Sequence, residues 1–323
     1  MLVWAWVSDW AIADYQGQLA ALGGACLWAL ASVVYGQLGQ KISPMALNLG
    51  KGAVAIALIL VTVLLRDVLF SHLDPTRSPS VALSLAGDGS ARAAVLLLLS
   101  GIIGIGLGDT VFFAAINHLG ARRTLLLQTL APPMTAVLAR IFLTESLTSG
   151  AWGGVFLTLC GVAWVISERV PGNSSTPKHL MRGVSLGLLA ALGQAVGAVL
   201  SRSALSDTSV DPLWSSLMRL CAGVLVLLLW IFGRKNARIL QPLQSHRLLG
   251  AIAITAFFST YLGIWLQQIG LKFAPAGIAQ TLGATSPLFV LPVAIWMGER
   301  VSIRAIFGGL ISVSGVALLF LLR

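Results

Sequence analysis

The chain delivers its apolar residues in blocks of about twenty, separated by short polar stretches, and that spacing limits the fold more than any other feature. A helix rises about 1.5 Å per residue, so a block of this length crosses a hydrocarbon layer of roughly 30 Å. Ten blocks fit the pattern. They lie at 17–38, 44–65, 93–117, 120–142 and 148–166, then at 182–201, 211–233, 247–270, 276–297 and 302–322. Composition agrees, with 57% hydrophobic and 10% charged residues, against about a quarter charged in a typical soluble domain. The expectation is an all-α, multi-pass integral protein of a bacterial-type plasma membrane.

The two halves repeat. Glu145 follows Pro133 by twelve positions, and Glu299 follows Pro287 by the same twelve. A shift of 154 also lays Gly154 on Gly308 and Gly161 on Gly315. Lys51 maps onto Arg219 with a shift of 168, because the polar stretch 66–92, read as a loop, is longer than its counterpart 234–247. A duplicated five-span unit is the simplest reading. Five is odd, so the second copy inserts upside down, and an inverted repeat places a substrate site between its copies near the bilayer midplane. The organisation then runs as an N-terminal interfacial segment 1–16 carrying Trp4, Trp6 and Trp10, a first repeat 17–166, a polar linker 167–181 and a second repeat 182–323.

Several function classes fall away. The formal charge of +10 comes from Lys and Arg scattered over loops, with no basic patch interleaved with aromatics, so nucleic acid is not an expected partner. Neither an H-E-x-x-H pair nor a Walker loop occurs, and the four histidines stand apart, so no enzyme, metal site or bound cofactor is expected. Without a Walker loop, energy has to come from an ion gradient or from the substrate's own gradient. Cys26, Cys160 and Cys221 are odd in number and dispersed, which reads as core packing.

The stretches Gly120-Ala121, Leu130-Ala131-Pro132-Pro133 and Leu143-Thr144-Glu145, followed by Gly154 and Gly161, recur as Ala274-Pro275-Ala276, Ser286-Pro287 and Gly298-Glu299, followed by Gly308, Gly309 and Gly315. Over about residues 17–322 the chain resembles the EamA-type branch of the drug/metabolite transporter superfamily. The resemblance implies ten helices, cytoplasmic termini and transport of small metabolites, often outward. The distribution of Lys and Arg over alternate loops instead favours the N-terminus outside, so orientation stays open. Two departures stand out: Thr144-Glu145 where Gly-Glu is usual, and Lys51 where the second helix often carries Arg.

Charged groups inside a span cost roughly 2.5–3.5 kcal/mol on insertion scales and call for a reason. Asp109, deep in a glycine-rich span, reads as a proton or substrate-amine site, or as half of a buried pair with a lysine. Lys51 and Arg219, about seven residues into their helices, either bind a substrate anion or snorkel toward headgroups. Glu145 and Glu299 stand at helix ends, where a carboxylate caps the helix that follows. Pro133 and Pro287 break their spans. Gln128, Gln280 and Gln267 are candidate cavity walls or interhelical hydrogen-bonding groups, and Trp265 a candidate lining aromatic. The expected function is secondary active transport of a small metabolite, an amino acid or related compound, by alternating access and in the efflux direction. A coupled proton or other ion, the lipid bilayer and a homodimeric partner complete that expectation. A receptor or scaffold is the alternative.

Overall fold

A computed structural model describes residues 2–38, 41–73, 90–119, 121–167, 177–233, 237–286, 288–289 and 303–321. Among these the chain is helical throughout, with no strand. In the first half α1 is Leu2–Leu38, α2 Pro44–Leu73 and α3 Ser90–Ser100. A π-helical segment, π1, covers Gly101–Asp109 and continues into α4, Thr110–Leu119. Then come α5 Ala121–Gln128, α6 Ala131–Phe142 and α7 Ser149–Ser167. The second half has α8 Pro177–Leu205, α9 Pro212–Gly233 and α10 His246–Ala256. A second π segment, π2, Phe257–Leu262, leads into α11 Gly263–Phe273, followed by α12 Ala276–Gly283 and α13 Ile303–Leu321.

Among the described residues, five helices are long and apolar enough to cross a membrane: Pro44–Leu65, Ala91–Leu119, Leu180–Leu205, Pro212–Gly233 and His246–Phe273. Large apolar side chains such as Leu65, Phe142, Leu229 and Ile254 cover the outer surface. A soluble monomer does not expose so much apolar area, whereas lipid tails match it. This is a multi-pass integral membrane protein. Cys160 and Cys221 share that exposed face, which corrects their assignment to the core.

Local chemistry explains where the helices depart from the expected spans. The stretch 66–73 is helical rather than loop: RDVLFSHL contains neither Gly nor Pro. Helix α8 begins inside the expected linker with Pro177 at its first position, where the missing N–H is no loss. Residues 2–16 continue α1 without interruption. The expected span 120–142 is two helices, α5 and α6, separated by a turn at Thr129 and Leu130. Pro132 and Pro133 lie at the start of α6 and supply no N–H, so the carbonyls of Gln128 and Thr129 lose their in-helix donors. Shifted by 154, that turn falls at Gly283 and Ala284, where α12 also ends. Pro287 and Glu299 lie outside the described residues.

Helices α7 and α13 occupy repeat-equivalent positions, 149–167 and 303–321, and pack against each other. A Cβ placed on Gly161 would collide with the Gly308 carbonyl and the Ser312 amide, and one on Gly315 with the Gly154 carbonyl and the Thr158 amide. Gly154 and Gly308, Thr158 and Ser312, and Gly161 and Gly315 are each 154 apart. The contacts are therefore reciprocal, as across a two-fold axis, and the helices run antiparallel.

Glu145 differs from its expected role as a cap for the next helix. Thr148 takes that place, its Oγ1 accepting from the Ala151 N–H at 3.1 Å. The Glu145 carboxylate instead crosses to the second half. It accepts from Arg202 Nε at 2.5 Å and from the Ala276 N–H at 2.9 Å, the opening residue of α12. Arg202 Nη1 donates to the carbonyls of Leu271 and Lys272 at 2.9 and 2.7 Å. One carboxylate thus ties the α6–α7 connection to three second-half elements.

Thr144, next to that carboxylate, has φ 56°, a left-handed conformation that disfavours a β-branched residue by about 1–2 kcal/mol. Glycine removes that strain but adds roughly 0.5–1 kcal/mol of unfolded-chain entropy. Thr144→Gly is expected to stabilise the protein by about 0.5–1 kcal/mol, read as a higher unfolding midpoint in detergent. A lower midpoint would mean that Thr144 makes a compensating interaction.

Candidate functional site

A cavity of about 200 Å³ opens where the irregular parts of both halves meet. From the first half come Trp28, Lys51, Asp109, Gln128 and Pro132; from the second come Gln194, Arg219, Ser259, Thr260, Gln267 and Gln280. The sites expected at Asp109, Lys51, Arg219, Gln128, Gln280 and Gln267 therefore share one wall. Trp265 does not join them. It packs beside Tyr261, with ring centroids 6.2 Å apart, in the apolar cluster around Ile59 and Leu217.

Each charged group is held by identifiable packing. Lys51 Nζ lies 2.5 Å from Asp109 Oδ2. It also sits 5.6 Å from the Trp28 ring and 5.1 Å from the Phe113 ring, within reach of cation–π attraction. Its side chain is 1% exposed, which rules out snorkelling to a headgroup. Asp109, 23% exposed, is the end of the pair that opens on the cavity. Arg219 is only 3% exposed, and its Nε and Nη1 have no hydrogen-bond partner among the described residues. Its guanidinium rests over Gly104, where a Cβ would come within 3.4 Å of Nη2.

The first π segment carries Asp109 and packs against Arg219. A π turn widens the helix and releases carbonyls from the regular ladder. In the first segment Asn48 Nδ2 donates to the Ile105 carbonyl at 2.8 Å and Thr110 Oγ1 to the Gly106 carbonyl at 2.7 Å. Asp109 is the last residue of that segment. Gly101, Gly104, Gly106 and Gly108 let α8 and α9 approach closely: a Cβ on Gly101 would strike the Arg219 backbone and one on Gly106 the Val226 side chain, and a Cβ on Gly197 would come within 3.2 Å of the Gly104 Cα. In the second π segment, Tyr35 Oη hydrogen-bonds to Ser259 Oγ at 2.7 Å. Ser259 and Thr260 were not foreseen as lining residues. Their signal was alignment with Ile105 and Gly106 under the 154-residue shift, which hydropathy alone does not expose.

A Gly183-Val184-Ser185-Leu186-Gly187 string matches the spacing of a hydrolase nucleophile elbow. It lies inside α8, without the strand-to-helix turn that exposes such a serine. Ser185 Oγ donates to the Met181 carbonyl at 3.1 Å within that helix.

The profile of the EamA-like transporter family matches residues 15–167 and again 181–321. This chain belongs to that family. Among its relatives is an "Uncharacterized transporter YyaM" of Bacillus subtilis (strain 168), 28% identical over 232 residues, which cover 70% of this chain and 72% of the relative. A solved crystal structure superposes with a TM-score of 0.72 over 95% of this chain and 96% of its own, at 16% identity; that likeness concerns the fold alone. Family membership and the relative's name make this EamA-family member a membrane transporter.

Removing one partner of a buried ion pair strands the other. Asp109→Asn leaves the Lys51 ammonium uncompensated and is expected to lower stability by about 2–3 kcal/mol, less than for a fully buried pair because the carboxylate is partly solvated. Combining it with Lys51→Met removes the stranded charge and should recover most of that loss. Unfolding of the three variants in detergent checks this; an additive double variant would show that the pair contributes nothing.

Proposed function

We propose that this protein is a secondary carrier that moves a small metabolite through the central cavity by alternating access. The supporting observation is the cavity itself. It is walled by both halves, sits where two helices break and two others widen into π turns, and holds a charged pair and a buried arginine. Groups so costly in a membrane are retained where an ion or substrate meets them. Ten spans, as two inverted five-helix repeats, are part of this reading. The reciprocal antiparallel contacts of α7 and α13 support the inversion. An odd number of spans per repeat is the topology that turns the second copy over.

In the cycle we propose, the Glu145–Arg202 contact between the halves holds the present conformation and breaks when the cavity opens to the other side. Lys51 and Asp109 form the coupling element: a proton taken up by Asp109 Oδ2 dissolves the ion pair and frees the Lys51 ammonium to rearrange. Outward movement of a small metabolite is what the family resemblance implies, and an amino acid or related compound is the cargo expected from the sequence.

Purified protein in proteoliposomes, loaded with a panel of amino acids and related small metabolites, should show counterflow for at least one of them. Absence of exchange across the panel, with monodisperse folded protein, would replace the carrier by a receptor or scaffold. Asp109→Asn, measured on the folded fraction, should keep exchange and lose accumulation driven by a pH gradient. Full gradient-driven accumulation in that variant would remove Asp109 from coupling.

A further inference from the structure

The charges in the cavity are not symmetric, although the repeat that built it is. Lys51 and Arg219 are repeat-equivalent cations, 168 positions apart. The carboxylate partnering the first, Asp109, falls under the 154-residue shift on Gly263, which also lines the cavity. Among the described residues, the second half therefore supplies the cavity with a cation and no matching anion. Among the described lining residues the charged groups are Lys51, Asp109 and Arg219. Asp109 is within electrostatic reach of Arg219, but its hydrogen bond goes to Lys51. One carboxylate between two cations leaves a net charge of +1.

We infer that the vacancy left by Gly263 is filled by the substrate's own carboxylate, so that this carrier takes small monoanionic carboxylic acids, held by Arg219. The geometry that supports it is the orphaned guanidinium. Arg219 Nε and Nη1 are buried without partners among the described residues, and a desolvated charge in that state is strongly unfavourable until an anion arrives. The planar fork of arginine matches the two oxygens of a carboxylate. Gln280 Nε2, a donor with no partner among the described residues, lines the same cavity. Apolar wall is provided by Leu125, Ile264 and Leu271, a fit for a short hydrocarbon body. A single negative charge balances the single excess positive charge, whereas a phosphate dianion overshoots it.

The inference rests on the carrier reading of the cavity but is tested by binding, so the two can fail separately. Purified protein in detergent is titrated with acetate, isovalerate and phenylacetate, with the amide of each, with isoamylamine, and with inorganic phosphate, following the unfolding midpoint. At least one carboxylate should raise the midpoint, and its amide, the amine and phosphate should not. Arg219→Gln should weaken that binding by about ten- to a hundredfold, the loss of a charge-assisted hydrogen bond. Gly263→Asp is the independent variant. It installs the missing carboxylate at a helical position whose Cβ meets only the Phe258 carbonyl, at 3.2 Å. It should abolish carboxylate binding while holding or raising the midpoint of the empty protein, and it decides the matter if Arg219→Gln does not fold.

No response to any carboxylate, an equal response to amide or phosphate, or carboxylate binding that survives both variants would overturn the inference. Exchange of neutral or cationic metabolites without carboxylate binding would leave the carrier and remove its anion site. Carboxylate binding without any flux would do the reverse.

Discussion

Within hydrocarbon, a peptide N–H or C=O has no partner except another group of the protein, and an unpaired one costs several kcal/mol. That constraint organises this molecule. Regular helix satisfies it along most of the chain, and the departures from regular helix occur where a side chain can stand in. Asn48 answers the Ile105 carbonyl, Thr110 the Gly106 carbonyl, and Ser259 the Thr255 carbonyl at 2.8 Å. The breaks at Thr129 and at Gly283 lie against the cavity. The irregular segments converge because each needs a polar neighbour, and the polar cavity is the place where those needs coincide.

Duplication supplied the frame, and divergence inside it made the site. Glycines at repeat-equivalent positions still interlock α7 with α13 reciprocally, since a methyl group on either side would push the backbones apart. The charged positions are less symmetric. The cation is kept in both copies as Lys51 and Arg219, while the anion is kept in one, Asp109 against Gly263. Packing tolerates little departure from symmetry, because every displaced backbone is paid for along the whole interface. A cavity wall tolerates more, and there asymmetry sets the net charge.

The legible part of the site was its chemistry. Asp109, Lys51 and Arg219 stood out because charge inside an apolar block is expensive, and they do face one cavity. Gln128, Gln280 and Gln267 stood out for the same reason in weaker form. Trp265 did not join them: an indole is at ease in an apolar cluster, so its position carries no such signal. Glu145 was recognised as a helix-end carboxylate but given the wrong helix. The stretch Thr144–Thr148 offers two acceptors near one helix start, and nearness along the chain does not reveal that Ala276 lies closer to the carboxylate in space.

From sequence alone followed the apolar periodicity, the duplication, the proline breaks and the identity of the costly groups, because each depends on local composition or on comparison of the chain with itself. Tertiary structure alone decided that Lys51 pairs with Asp109 while Arg219 Nε and Nη1 have no acceptor among the described residues, that Glu145 binds Arg202, and that the π segments turn Asp109 and Ser259 toward a shared space. Those outcomes depend on distances of a few ångströms between residues 57 to 224 positions apart. At that range Coulomb and hydrogen-bond energies change steeply with position, and position is what packing supplies.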